Sequence, residues 1–94
     1  MKLRYERGAL ADLDEIFSYV AADSRTAAGR LVARIEDAER RIAATPYIGE
    51  ATRNPRFRRL PVGNYLIVYE VGTDEVVIHY ARHGARLRPW AGER

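Results

Sequence analysis

The amino-acid sequence predicts an α+β fold of two layers, in which a helical hairpin covers one face of an antiparallel sheet. Three observations support this prediction. Apolar residues recur at helical spacing through the first half of the chain. Three short runs rich in Val, Ile, Leu and Tyr, separated by turn residues, fill the second half. A short alternating segment at the start adds one strand, so the predicted order is β-α-α-β-β-β.

The N-terminal segment is predicted to form an edge strand followed by a helix. Lys2–Tyr5 alternates charged and apolar residues, as an exposed edge strand does, and Gly8 is expected to end it. Residues 9–20 then predict an amphipathic helix, whose apolar residues are spaced by three or four: Leu10, Leu13, Phe17 and Val20. Three acidic residues are expected on its solvated face, near the positive end of the helix dipole: Asp12, Asp14 and Glu15.

A second helix is predicted over Arg25–Ala44. Asp23 or Ser24 can cap its start, and Thr45 before Pro46 ends it, because the residue preceding a proline disfavours the α conformation. Its apolar residues repeat at spacings of 3, 4, 3 and 4: Ala28, Leu31, Ile35, Ala38 and Ile42. Two ion pairs one turn apart are expected on its outer face: Glu36–Arg40 and Asp37–Arg41.

The C-terminal half predicts a three-stranded antiparallel meander. Its strands are expected over Phe57–Val62, Tyr65–Val71 and residues 75–81, because these runs are rich in β-branched and aromatic residues. Gly63-Asn64 and the short segment 72–74 supply the turns between them. The polar segment 47–55, which precedes the meander, is expected to be a surface loop.

Charge is distributed unevenly along the 94 residues, which are expected to form one domain over 1–94. The net charge is +3, and the part after Thr52 carries eight arginines against four acidic residues. Arginines flank the predicted meander at both ends, which favours a polyanionic target or an acidic protein partner. An arginine-rich surface with no such partner is the alternative.

Composition excludes several classes of site. The chain has no cysteine, so disulfides, thiolate metal sites and a cysteine nucleophile are excluded. With no cysteine and no clustered carboxylates, no metal site or cofactor is predicted. The longest apolar run, Tyr65–Tyr69, is too short to span a membrane, and the N-terminal segment lacks the apolar core of a signal peptide. A cytoplasmic location without membrane contact is expected.

Several segments carry a family resemblance. In chain order they read ALADLDEIFSYVA, AAGRLVARIEDAERRIAATP, IGE, RRLPVGNYLIVYEV, DEVVIHYARHGAR and RPW. Together they resemble the toxins of the RelE/ParE superfamily over nearly the whole chain. The resemblance implies the RelE/ParE-like fold and the toxin half of a type II toxin–antitoxin pair. It also implies an antitoxin partner with a DNA-binding part, which gives indirect operator binding, and a flexible segment that wraps the toxin.

The resemblance implies one of two mechanisms. RelE-like members cut mRNA in the ribosome, whereas ParE-like members block DNA gyrase and lack the catalytic residues. Arg86 and either Arg58 or Arg59 match cations of the nucleases. However, Leu66 stands where RelE-like chains often have arginine, and the tail offers no match to their tyrosine or histidine acid. The ParE-like branch, without enzymatic activity, is therefore favoured, and the ribosome with mRNA is the alternative partner. A further alternative is a degenerate member that only binds its antitoxin and helps it repress their operon.

The candidate site residues follow from these alternatives. Five arginines can bind phosphates or acidic groups of a partner: Arg58, Arg59, Arg82, Arg86 and Arg88. A nuclease would use Arg59, His83 and Arg86, with His83 moving the proton; otherwise His83 caps a strand end. His79 is expected to be structural. Three tyrosines either stack on bases or pack within the fold: Tyr65, Tyr69 and Tyr80.

Overall fold

The computed structural model of the protein describes residues 1–84. It confirms the two-layer α+β architecture. The elements in chain order are β1 (Lys2–Tyr5), α1 (Arg7–Asp23), α2 (Arg25–Ala44), a 3₁₀ turn (Pro46–Ile48), β2 (Glu50–Ala51), β3 (Phe57–Val62), β4 (Tyr65–Val71) and β5 (Glu75–His83). Neither helix is long and apolar enough to cross a membrane.

The strands form one sheet in the order β1-β5-β4-β3-β2. The meander of β3, β4 and β5 is antiparallel, as predicted, and β1 lies at the edge, also as predicted. β1 pairs with β5 in parallel, with Lys2 opposite Glu75 and Tyr5 opposite Ile78. The helical hairpin between them makes this possible, because a parallel pair needs a crossover connection rather than a tight turn.

Both helices pack on one face of the sheet and form the core with it. The buried core residues on the helices are Ala9, Leu13, Leu31, Ile35, Ala38 and Ile42. Those on the strands are Leu60, Val62, Ile67, Tyr69, Val76, Ile78 and Ala81. The predicted apolar stripe of α2 is thus buried from Leu31 to Ile42, with Ala28 half-buried at its start.

The first helix differs from its prediction at its start. The Glu6 carbonyl accepts hydrogen bonds from the amides of Ala9 and Leu10, so α1 begins directly after β1 and includes Gly8. Ala9 is therefore fully buried, and Leu10 is 54% exposed rather than part of the apolar stripe. No acidic residue lies in the first turn, so the predicted placement near the positive end of the dipole is wrong.

The second helix has the predicted bounds. Ser24 caps it, since its hydroxyl accepts a hydrogen bond from the Ala27 amide at 3.1 Å. The structure does not show the expected ion pairs Glu36–Arg40 and Asp37–Arg41. Instead, Asp37 pairs with Arg40 at 3.6 Å, three residues along the helix.

The segment 47–55 is not simply a surface loop, because it begins within the 3₁₀ turn and contains strand β2. The fully buried Tyr69 holds it in place: its hydroxyl donates to the Pro46 carbonyl at 2.7 Å and accepts from the Gly49 amide at 2.8 Å. A Cβ atom on Gly49 would lie 2.6 Å from that hydroxyl, so glycine allows the close approach. A core tyrosine therefore orders a polar segment.

Strand β5 is longer than predicted and contains an irregularity. Val68 pairs with Tyr80, but the next residue, Tyr69, pairs with Ile78, so His79 is an extra residue in β5. Such a bulge changes the alternation of side chains along a strand. Ile78 and Ala81 both reach the core, and His79 and Tyr80 both lie on the opposite face.

Candidate functional site

The sheet face opposite the helices carries an open groove of about 640 Å³. We call it the outer groove. Its lining residues come from β3, β4, β5 and the segment before β3: Ala51, Thr52, Arg53, Asn54, Phe57, Arg59, Leu66, Val68, Tyr80 and Arg82. None of its lining residues belongs to a helix. Within residues 1–84, no helix covers this face of the sheet.

The centre of the outer groove is apolar. Leu66 and Val68 follow each other on the same face of β4, and Tyr80 lies directly across from Val68 on β5. Val68 is only 4% exposed although it lies outside the helix-covered core cluster. An apolar strip between arginines is typical of protein-binding surfaces, where an aliphatic centre lies within a polar rim.

The arginines predicted from the sequence lie on different faces of the sheet. Arg59 reaches the outer groove, where its Nε donates to Glu50 Oε1 at 2.8 Å. Arg58 lies across the sheet from it and donates to the carbonyls of Gly49, at 2.7 Å, and Tyr47, at 3.4 Å. Consecutive strand residues alternate between faces, so only one of the two can serve the groove. Arg58 instead stabilises the segment before β2 through these two hydrogen bonds.

Arg82 completes the cationic rim of the outer groove. Its guanidinium lies 4.6 Å above the ring of Tyr80, a cation–π contact. Among residues 1–84, no ion pair joins Arg82 to a carboxylate. Arg82 is thus an exposed cation oriented by an aromatic ring rather than neutralised by an acid.

A second depression, of about 380 Å³, adjoins the groove beside the β3–β4 turn. We call it the turn pocket. Arg59 and Leu66 line both depressions, so the two are continuous. His83 lines the turn pocket, and its ring contacts that of Tyr65 edge-on at 5.1 Å. Arg59 and His83, two residues of the predicted nuclease set, therefore line the same depression, but His83 pairs with Tyr65 on the helix-facing side of the sheet, whereas Arg59 lies on the opposite face.

A polar cluster lies on the same face at the far end of β4. Glu70 accepts hydrogen bonds from Arg56 at 3.2 and 3.3 Å, and its Oε1 lies 2.9 Å from His79 Nε2. The Arg56 hydrogen bond holds the pKa of Glu70 below its usual value, and the one with His79 acts in the same direction. Phe57 packs between them, 5.0 Å from His79 and 5.1 Å from the Arg56 guanidinium.

The sequence analysis did not predict the structural roles of two acidic residues, Glu70 and Asp12. Glu70 lies two residues after Val68 on β4, so the sequence could have placed both side chains on the same face of the sheet. Its partner His79 reaches that face only because of the bulge in β5. Asp12 was placed on the solvated face of α1. Its carboxylate instead accepts a hydrogen bond from the Ala81 amide at 3.0 Å. That amide lies beyond the end of β1, where β5 has no neighbouring strand on this side.

The remaining predicted residues are placed as follows. Tyr65 and Tyr69 face the helices, and only Tyr80 reaches the outer groove. Arg86 and Arg88 lie outside the described residues. Within residues 1–84, no group of three or more His, Asp or Glu side chains is placed to hold a metal ion.

Comparison with protein families identifies the class. Residues 3–88 match the family described as the ParE toxin of the type II toxin–antitoxin system, parDE. Because this match covers most of the chain, the protein belongs to the ParE toxin family, and the ParE-like assignment made from the sequence is confirmed.

Individual relatives agree with this assignment. A Sinorhizobium fredii (strain NBRC 101917 / NGR234) protein provisionally named toxin Y4kP is 34% identical over 79 residues, covering 82% of each chain. A chain of the chromosomal ParDE system from P. aeruginosa superposes with a TM-score of 0.73 at 24% identity, covering 88% of this chain and 95% of that one. A chain of the RelB–RelE antitoxin–toxin complex from Methanococcus jannaschii superposes with a TM-score of 0.60 at 17% identity, covering 93% and 96%. The structural likenesses show the shared fold.

Proposed function

We propose that this protein is a toxin that stops bacterial growth in the cytoplasm by binding and blocking DNA gyrase, and that a cognate antitoxin neutralises it. Membership of the ParE toxin family supports this proposal. The gyrase target is the one implied by the ParE-like resemblance of the sequence. The chain, which we expect to form one domain over 1–94, would act as a binding protein, without enzymatic chemistry.

The observation that carries the proposal is the character of the open sheet face. Its arginines are interspersed with carboxylates: Arg59 pairs with Glu50, and Arg56 pairs with Glu70. The surface between them is aliphatic at Leu66 and Val68. Mixed charges around an apolar centre suit another protein surface better than a uniformly charged phosphate backbone.

An antitoxin partner is supported by the solved relatives. The P. aeruginosa protein belongs to a ParDE toxin–antitoxin system, and the Methanococcus jannaschii protein was solved as an antitoxin–toxin complex. We expect the antitoxin of this protein to cover part of the same face, and to bring the toxin indirectly to operator DNA through its own DNA-binding part.

A second candidate function is ribosome-dependent cleavage of mRNA. The turn pocket favours it, since Arg59 and His83 line the same depression and Arg86 follows two residues after Gly84. In that reaction the arginines would stabilise the charge on the phosphate, and the imidazole would transfer the proton. Arg59 would first have to leave Glu50, and the His83 ring would have to turn away from Tyr65.

Induced expression in bacteria distinguishes these functions. Within minutes of induction, RNA is analysed by primer extension, and plasmid supercoiling and the DNA-damage response are measured in the same culture. Lost supercoiling and a damage response with intact mRNA are the expected result. Early codon-positioned cuts without DNA damage would contradict it and favour the nuclease. Normal growth with soluble protein would instead indicate a member that only binds its antitoxin.

Two variants and one control sharpen the test. His83→Ala and Arg86→Ala remove the proton-transfer group and a phosphate-binding cation of the alternative nuclease, whereas Arg40→Ala removes an exposed arginine of α2. A gyrase-blocking toxin is expected to keep its activity in the His83 and Arg40 variants. Loss of activity in the first two variants alone, with folding retained, would contradict the gyrase proposal.

A further inference from the structure

We propose that a depression between α2 and the β3–β4 turn binds the phosphate group of a small organic phosphate, such as a nucleotide, through the guanidiniums of Arg34 and Arg41. The depression has a volume of about 380 Å³, and we call it the helix pocket. Pro61 and Gly63 line both this depression and the turn pocket, but Arg34 and Arg41 line only the helix pocket. The site is thus separate from the residues considered for the proposed function.

Arg34 and Arg41 supply the positive charge of the helix pocket. Among residues 1–84, no ion pair joins either guanidinium to a carboxylate. The two residues are almost two full turns of α2 apart, so they lie on the same face of the helix, about 10 Å apart along its axis. Long side chains with this spacing can close on one anion between them, and each guanidinium can donate two parallel hydrogen bonds to phosphate oxygens.

The β3–β4 turn positions the guanidinium of Arg34. Gly63 in this turn has a φ of 60°, and a Cβ atom there would lie 3.1 Å from Nη1 of Arg34. Glycine therefore serves twice at this position, because it adopts the positive φ without strain and leaves room for the guanidinium against the turn. The contact restricts an otherwise exposed side chain, so less side-chain freedom is lost when an anion binds.

Asp37 also lines the helix pocket, and its negative charge opposes the binding of an anion. Its Oδ1 lies 3.6 Å from Nη2 of Arg40, a residue that does not line the pocket. Arg40 therefore neutralises part of this charge, although the pair is weak because its side chains are 59% and 71% exposed. Asp37 thus lowers the affinity of the pocket for a phosphate group without preventing binding.

The apolar residues of the helix pocket indicate an organic phosphate rather than a free ion. Ala33 and Pro61 are exposed and line the pocket beside the arginines, where they can pack against the carbon skeleton that carries the phosphate. A nucleic-acid backbone fits less well, because its successive phosphates require several cations along one path. The arginine of the adjoining turn pocket, Arg59, pairs instead with Glu50 at 2.8 Å. The pocket therefore favours a single phosphate group.

The test is an NMR titration of the purified full chain with AMP, with inorganic phosphate and, as a control for ionic strength, with chloride. We expect AMP to bind with a Kd of about 1 mM, the affinity that two charge-assisted contacts provide, and inorganic phosphate to bind more weakly. Amide shifts should concentrate on residues 33–41 of α2 and on Gly63 and Asn64. A DNA duplex of roughly 12 base pairs, slightly more than one helical turn, is titrated separately.

Variants locate the interaction. Arg34→Gln and Arg41→Gln are each expected to weaken AMP binding roughly tenfold, the value of one charge-assisted contact. Asp37→Asn is expected to tighten it about threefold, because a like charge is removed from the pocket. Arg30→Gln is the matched control, since Arg30 is also exposed on α2 but does not line the pocket, and it is expected to change nothing. Unchanged circular dichroism and unfolding midpoints show that the variants fold.

Four results would overturn the proposal: no AMP-dependent shifts, shifts that chloride reproduces, tighter binding of inorganic phosphate than of AMP, or equal weakening by Arg34→Gln and Arg30→Gln. Binding of the DNA duplex that Arg34→Gln and Arg41→Gln abolish, without binding of AMP, would also overturn it, in favour of a nucleic-acid surface. Growth arrest is scored separately. A toxin that stops growth but does not bind AMP contradicts only this inference, and a chain that binds AMP without arresting growth contradicts only the proposed function.

Discussion

Replacing Tyr69 with Phe removes one oxygen atom from the centre of the fold. Burial raises the pKa of this phenol, so the hydroxyl stays protonated and can donate to Pro46 while it accepts from Gly49. The Gly49 amide is buried and Pro46 is half-buried. An unpaired buried polar group costs about 1–3 kcal/mol, so with the second group partly open to water we expect a loss of about 2–3 kcal/mol. For a domain of this size that lowers Tm by roughly 10–15 °C.

The assay is urea and thermal unfolding of the wild type and the variant, followed by circular dichroism. Tyr19→Phe is the matched control, because it removes the same oxygen from a side chain that is 71% exposed. Its effect should stay within about 0.5 kcal/mol. If Tyr69→Phe is equally mild, the hydroxyl does not hold the segment before β2, and the reasoning is refuted.

Three further predictions concern single side chains. Asp12→Ala removes the acceptor at the open edge of β5 and should cost about 1 kcal/mol in urea unfolding, whereas Asp14→Ala should be neutral; equal effects would contradict this. Ser24→Ala removes the α2 cap and should cost about 1 kcal/mol, restored by Ser24→Asp; a failed rescue would count against capping. Arg56 holds the pKa of Glu70 below its ordinary 4.5, so ionised Glu70 stabilises the fold above that pH, and this is lost as pH falls through the folded-state pKa. The difference in urea midpoint between wild type and Glu70→Gln should therefore be wide at neutral pH and should narrow as the pH falls below the folded-state pKa of Glu70; a constant difference would argue against the ion pair.

The sequence predicted the regular elements well because each satisfies a local rule. The bounds of α2, β3 and β4 match the structure, since apolar periodicity, a serine cap and glycine turns act over only a few residues. The prediction was wrong at Gly8, which was expected to end the first strand and to precede the helix. The register set by β1 and β5 begins the helix at Arg7, and Gly8 is accommodated in the first turn.

The candidate site was predicted only in part. Arg82 was named from charge and Arg59 from charge and the family resemblance, and both line the outer groove. Arg58 was named with them but binds backbone carbonyls of the segment before β2. The difference depends on which strand residue faces the helices, and a run of adjacent arginines does not reveal that face.

By itself, the sequence determined the fold class, the order of the elements apart from β2, the family and the concentration of cations around the meander. The tertiary structure decided what depends on contacts between distant residues. The parallel pairing of β1 with β5 arises because the helical hairpin carries the chain from β1 to β2 at the opposite edge of the sheet, and the following strands then lead back to β5 beside β1. The bulge at His79 brings two consecutive side chains to one face, and the Tyr69 hydroxyl orders the segment that carries Glu50 to Arg59. Each is a pairing between separated parts of the chain, which no local pattern encodes.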